Sequence, residues 1–276
     1  MADQPTVRLN SGPSMPQLGF GVFQVPNDET AAAVSAAFEA GYRAIDTAAM
    51  YRNEQGVGKA IADSGIARDE LFITTKLDND AHGHDEALRA FEASRARLGL
   101  EYVDLFLIHW PLPAKDRYVQ TWQAFETLQR DGRARSVGVS NFQPEHLQRL
   151  FDETELVPAL NQIELHPYLT QDVLRGFDAQ HGIATEAWSP LAQGGELLSE
   201  QTVTSLAEKY GKTPAQIVIR WHLQLGNVVI PKSVTPARIK ENIDVFDFEL
   251  ADDDLTSMSE LNRDERTGPD PDTFNP

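Results

Sequence analysis

The sequence predicts an α/β fold: one (β/α)8 TIM barrel domain over residues 1–276, with an N-terminal β-hairpin and an extended C-terminal tail. Three observations lead there. Short apolar runs alternate with amphipathic stretches along the whole chain, with no linker or low-complexity segment between them. Eight such runs can be counted, and strands alternating with helices imply parallel pairing through right-handed crossovers. The length of 276 residues suits one barrel of this kind, for which about 250 residues is typical.

Taken in order, residues 7–9, the turn Asn10-Ser11-Gly12 and Ser14-Met15 predict the hairpin. Runs at 17–21 and 43–45 follow, separated by an Ala-rich helix over 30–40 that Gly41 ends. The run 71–75 leads to a helix whose apolar face is Ala87, Phe91, Ser94 and Leu98, at spacings of 4, 3 and 4. Gly99 is placed to cap it. Residues 102–108 are almost continuously apolar, as a strand buried on both faces requires. Runs at 137–139, 160–165, 183–188 and 228–230 complete the eight. Pro144 stands where a first helical turn tolerates proline. From Arg263 the chain carries Pro269, Pro271 and Pro276 and little apolar content, which predicts the extended tail.

Composition narrows the function. Hydrophobic residues make up 41% and charged residues 24%, ordinary for a soluble globular protein. The net charge of −18 argues against nucleic acid and anionic membranes as partners. There is no cysteine, hence no disulfide, thiol nucleophile or zinc–sulfur site. No signal-peptide signature and no membrane-spanning run is visible. A soluble cytoplasmic monomer acting on a small molecule is expected.

Barrel chemistry belongs at the C-terminal strand ends. The residues ending the runs are Asp46, Lys76, His109, Ser140-Asn141, Gln162, Trp188-Ser189 and Lys232-Ser233, spaced on average 31 residues apart. Asp46 and Tyr51 share one loop, and Lys76 and His109 end the next two strands. A phenol with a pKa of about 10 gives up a proton reluctantly. A nearby ammonium can lower that by about 1–3 pH units, Asp46 can hold the ammonium charged, and His109 can orient a carbonyl oxygen. The set suits a general acid for an oxygen gaining negative charge, as in carbonyl reduction. Hydride must then come from a cofactor. No G-x-G-x-x-G follows a strand, so a Rossmann site is not indicated. A positive island does exist: residues 227–243 hold Lys232, Arg238 and Lys240 against one acid, Glu241. It follows the last barrel strand, where this fold binds phosphate. His82-Gly83-His84 has metal-like spacing but lies in a glycine-containing loop expected to face solvent, and no metal site is predicted.

Several strings resemble the aldo-keto reductases. They are Asp46-Thr47-Ala48-Ala49-Met50-Tyr51 with Asn53-Glu54 and Gly56-Val57-Gly58, Thr75-Lys76, Leu107-Ile108-His109-Trp110-Pro111, Gly138-Val139-Ser140-Asn141-Phe142 and Asn161-Gln162-Ile163-Glu164. Pro231-Lys232-Ser233-Val234-Thr235 with Arg238, Glu241 and Asn242 resembles the family's adenosine-phosphate signature. Nearly the whole chain is covered, and the resemblance is closest to the bacterial 2,5-diketo-D-gluconic acid reductases.

The resemblance implies an NADPH/NADP+-dependent reduction of aldehydes and ketones (dicarbonyls, keto-sugars, aromatic aldehydes). Tyr51 is then the proton donor, Lys76 and Asp46 lower its pKa, and His109 orients the substrate. Ser140, Asn141 and Gln162 bind the nicotinamide carboxamide and Trp188 stacks on its ring. Ser189, Leu191 and Gln193 line the pyrophosphate. Lys232, Ser233, Val234, Thr235 and Arg238 hold the 2′-phosphate end, and Glu241 and Asn242 meet the adenine. Many relatives read K-L-W where this chain reads Lys76-Leu77-Asp78. Asp78 is thus expected in the substrate pocket in place of an aromatic wall, disfavouring anionic sugar acids, with Phe23 and Trp110 as the remaining apolar walls. Two alternatives differ in kind: a Schiff-base aldolase using Lys76, and a non-catalytic NADP(H)-sensing barrel, which the presence of both Tyr51 and His109 disfavours.

Overall fold

The computed structural model describes residues 4–276. β1 (Thr6–Arg8) and β2 (Ser14–Pro16) pair antiparallel, with Val7 opposite Met15. Leu9 and Met15 join Phe72, Leu105, Leu107 and Leu160 in an apolar plug. The Asn10 side-chain amide donates to Pro158 O at 3.0 Å, fixing the hairpin across the barrel's N-terminal end.

Eight strands follow: β3 (Phe20–Gly21), β4 (Ala44–Asp46), β5 (Phe72–Leu77), β6 (Val103–Ile108), β7 (Ala134–Ser140), β8 (Leu160–Glu164), β9 (Ala184–Trp188) and β10 (Val228–Val229). Each pairs in parallel with the next. The circle closes where the Gly19 amide donates to Val229 O and the Val229 amide donates to Gln17 O, both at 2.9 Å. The first predicted run, 17–21, is therefore divided: its first half closes the barrel against β10 and its second half pairs with β4. Every residue of β5 and β6 is buried, which accounts for their near-continuous apolar reading.

The helices are α1 (Asn27–Ala40), α2 (Glu54–Ser64), α3 (His84–Leu98), α4 (Tyr118–Arg130), α5 (Pro144–Glu153), α6 (Asp172–Gln180), α7 (Gln201–Tyr210), α8 (Pro214–Gln224), α9 (Pro236–Ile243) and α10 (Asp252–Ser259). The buried residues of α3 are Ala87, Phe91, Ser94 and Leu98, the face its spacing predicts. Gly99 ends α3 at φ 67°, a left-handed turn that glycine adopts without strain. Phe106 of β6 stacks on Phe125 of α4 at 4.5 Å between ring centroids and meets Phe91 of α3 edge-on at 5.0 Å, sealing both helices to the barrel. The long step between the ends of β9 and β10 holds two helices, α7 and α8, instead of one.

One expectation needs correction. His82 does not face solvent: it is buried, and burial pushes its imidazole down to about 4, with Lys115 and Arg117 adding to the effect. The Gly83 amide donates to Thr121 Oγ1 at 2.9 Å, which ties this loop down instead of leaving it in solvent. His84 opens α3 and is accessible, and its Nδ1 sits 2.8 Å from Asp85. The tail is irregular, as predicted. It crosses the C-terminal mouth, and Phe274 packs on Trp110 at 4.4 Å. No helix among the described residues is long and apolar enough to cross a membrane.

Candidate active site

A cavity of about 880 Å³ opens at the C-terminal ends of the strands, near the upper end of the range for small-molecule sites. Asp46 ends β4, Lys76 lies in β5, His109 follows β6, and a single 3-10 turn after β4 carries Tyr51. Lys76 is wholly buried. Its Nζ donates to Asp46 Oδ1 at 2.6 Å, to Thr47 O at 3.0 Å and to Tyr51 Oη at 3.5 Å. An ammonium survives in such a place only because all three protons find acceptors and one acceptor is charged. The Tyr51 ring meets His109 edge-on at 5.7 Å and Phe23 at 5.1 Å.

Burial tends to strip the proton from Lys76, but the Asp46 carboxylate, with Tyr51 and Glu186, outweighs it and lifts its pKa above the ordinary lysine value. Burial holds the His109 imidazole well below its usual value, and the Lys76 ammonium adds to this, so the ring is neutral at physiological pH. Tyr51 departs from the expectation that Lys76 and Asp46 together lower its pKa. Burial raises it, Lys76 pulls it part of the way back, and the Asp46 carboxylate pushes it up again. Only the ammonium favours the phenolate; Asp46 serves by holding that ammonium in place.

Next along the cavity, Ser140, Asn141, Gln162 and Trp188 form one hydrogen-bonded group. Ser140 Oγ donates to Gln162 O at 2.8 Å. Asn141 stands at φ 64°, in the left-handed region that asparagine tolerates. Its Nδ2 donates to His109 O and to Ser140 Oγ, and its Oδ1 accepts from Trp188 Nε1 at 2.8 Å. Ser189, Leu191 and Gln193 continue the wall. At the far end Lys232, Ser233, Arg238, Glu241 and Asn242 line the cavity. Lys232 and Arg238 form no ion pair among the described residues, whereas Glu241 accepts from Thr213 Oγ1 at 2.9 Å. Two unpaired cations in a chain of charge −18 leave that end ready for an anion.

Besides Lys76, which is buried behind Asp46 and Tyr51, three predicted residues do not line this cavity. Val234 is exposed, and Thr235 precedes α9 with its amide on Ser233 Oγ at 3.1 Å. Asp78 faces a separate shallow depression, among Ala49, Arg52, Glu54, Asp80 and Arg97. The Asn79 backbone amide donates to Asp78 Oδ1 at 2.7 Å, holding the carboxylate to its own loop. It therefore does not replace an aromatic wall of the Tyr51 cavity.

Two carboxylates escaped the sequence reading. Glu186, inside β9, is wholly buried, and its Oε2 accepts from Gln162 Nε2 at 2.7 Å. Burial and the neighbouring Asp46 carboxylate raise its pKa. Glu164 ends β8 and grips the tail: Oε1 accepts from the Thr267 amide and hydroxyl, at 2.5 and 2.6 Å, and Oε2 from the Gly268 amide at 3.1 Å. Gly268 lies so close to the Trp188 ring that a Cβ there would stand 2.5 Å from it. An acid two residues beyond Gln162 and another two before Trp188 were the available signals, but both sit mid-run, where periodicity reads only strand.

Residues 17–263 match the family model described as Aldo/keto reductase family. The chain is similar to an aldo-keto reductase of Mycolicibacterium smegmatis, 58% identical over 271 residues and 98% of each chain. It is similar to the methylglyoxal reductase DkgA of Escherichia coli K12, 54% identical over 275 residues and 99% of each chain. Among solved structures, a variant of Gox0644 in complex with NADPH superposes with a TM-score of 0.94 at 49% identity, over 98% of each chain.

Proposed function

The chain belongs to the aldo/keto reductase family, and from that premise we propose that it reduces small, uncharged aldehydes and ketones with NADPH, Tyr51 being the proton donor. One observation carries this reading: a single cavity is lined by Asp46, Tyr51 and His109, with Lys76 buried behind them and bonded to the first two, and by the unpaired Lys232 and Arg238. The residues fit NADPH. Lys232 and Arg238 offer charge to a 2′-phosphate, Arg238 with a planar fork suited to it, Ser189 to Gln193 border the middle, and Trp188 and Gln162 stand beside the reacting end.

Bound NADPH supplies the hydride that no side chain can. The chain's residues handle the oxygen. His109, neutral, holds the substrate carbonyl by a hydrogen bond without adding charge. As negative charge grows on that oxygen, Tyr51 transfers its phenolic proton to it. The Lys76 ammonium then stabilises the phenolate left behind, in a dry site where such an interaction is strong. Because burial keeps Tyr51 protonated at rest, the acid is present throughout the neutral range. Lys76 stays charged in its pairing with Asp46, which makes it a poor amine nucleophile and disfavours a Schiff-base reaction.

Beside Tyr51 the cavity is bordered by Phe23 and His109, with Met50 and Trp110 also in its wall and no cation among these four. That favours neutral dicarbonyls and aromatic aldehydes over sugar acids. The test follows NADPH consumption, with NADH in parallel, over a panel of these carbonyls and keto-sugars. Tyr51→Phe is expected to lower turnover by about 10²–10⁴ with cofactor affinity near wild type. Near-normal turnover in that variant would remove Tyr51 from the mechanism.

A further inference from the structure

Glu186 is an expensive residue to keep. It is a carboxyl wholly inside the barrel, close enough to Asp46 for their charges to interact, and its Oε1 has no hydrogen-bond partner among the described residues. A group buried at such cost calls for a reason.

Its one partner supplies it. Gln162 Nε2 donates to Glu186 Oε2 at 2.7 Å and to Asp46 Oδ2 at 2.8 Å. Asp46 is ion-paired with Lys76, so its oxygens only accept. The Gln162 atom facing it must be the nitrogen, which settles the sense of the amide. Both amide protons are then engaged, and Gln162 Oε1 accepts from no described residue. Around it Ser140 Oγ, Asn141 Nδ2 and Asn141 Oδ1 are already bonded to one another, to backbone carbonyls or to Trp188. Gln162 Oε1 is the acceptor left over, on a residue that lines the cavity.

We propose that Glu186 is a positioning residue: with Asp46 it locks the Gln162 amide so that its oxygen is presented to the NH2 of the nicotinamide carboxamide. The inference rests on the NADPH reading above. Without Glu186 the Gln162 amide keeps one bond, to Asp46, and can turn about it, so that the acceptor is no longer fixed. Glu186→Gln retains an acceptor oxygen of the same reach; Glu186→Leu and Glu186→Met do not.

The test is equilibrium binding by fluorescence titration, independent of turnover. The probes are NADPH, its 3-acetylpyridine analogue, which replaces the carboxamide NH2 by methyl, and 2′,5′-ADP, which reports on the phosphate end alone. The wild type is expected to prefer NADPH over the analogue by about tenfold, the worth of one hydrogen bond. Glu186→Gln should keep that ratio. Glu186→Leu and Glu186→Met should bring it close to one while 2′,5′-ADP affinity stays unchanged; two apolar variants are used so that a folding failure of either leaves the other readable. A wild-type ratio retained in the apolar variants overturns the proposal. So does a ratio lost equally in Glu186→Gln, which would place the effect in the charge. Absence of NADPH binding in the wild type would instead refute the cofactor reading itself.

Discussion

Glu164→Gln should release the C-terminal tail from the mouth of the barrel. The carboxylate, 1% exposed, accepts from His166 Nε2 at 3.0 Å, from the Thr267 amide and hydroxyl, and from the Gly268 amide at 3.1 Å. Glutamine keeps one acceptor oxygen, able to serve the Thr267 side. Its NH2 then confronts the Gly268 N–H, two donors facing each other. One charge-assisted hydrogen bond is lost, about 1.5–3 kcal/mol, which raises the tail-opening equilibrium by about 10- to 150-fold. Amide hydrogen exchange at Thr267 and Gly268 reads this directly. Exchange should accelerate there while β5 and β6 keep their protection. Because Gly268 seats against Trp188 and Phe274 against Trp110, KM for the carbonyl should rise in parallel. The pH dependence has a definite sign. Burial alone would raise the Glu164 pKa, but the bonds from His166, Thr267 and Gly268 outweigh it and the net shift is downward. A depressed carboxylate contributes stability above its unfolded value of about 4.3 and loses it as pH falls through the lower folded value. The anchor is therefore intact at neutral pH and released only in acid. Unchanged exchange at Thr267 and Gly268 in Glu164→Gln would refute the anchoring.

Arg238→Ala should weaken NADPH by about 1–3 kcal/mol, the range of a charge-assisted bond, and leave NADH nearly unaffected; titration with both cofactors checks it, and equal losses would place the 2′-phosphate elsewhere. Buried neutral histidines set the acid limit of the fold. His82 is pushed down to about 4 and His222 to about 3, both chiefly by burial. The unfolded chain takes up protons at these rings from about pH 6.5, the folded chain only lower, so stability should fall steadily from pH 6.5 towards 4. A melting temperature that stays flat from pH 7 to 5 would contradict this.

Much of the fold could be read along the chain because barrel strands are defined by local burial. Residues 102–108 read as a two-face-buried strand because nothing outside that segment is needed to make them one, and Val103–Ile108 is the result. The same locality placed Lys76, His109 and Gln162 at the mouth: each is the polar residue at the end of an apolar run, and a closed parallel barrel brings all strand ends to one side. The positive island after the last strand stood out against a background charge of −18.

Other properties belong to pairs of residues far apart in the chain. Gln162 and Asp46 are separated by 116 positions and Thr267 and Glu164 by 103, and no periodicity encodes such meetings. Glu186 and Glu164 read as ordinary strand residues until the barrel closed around them. Asp78 is expected in the pocket because many relatives carry an aromatic residue there, yet the folded chain sets it on a separate depression. The direction of the Tyr51 shift depends on the balance between burial, one ammonium and two carboxylates. The sum changes sign with distances that only the folded chain sets, since both desolvation and Coulomb energy are functions of position rather than of residue type.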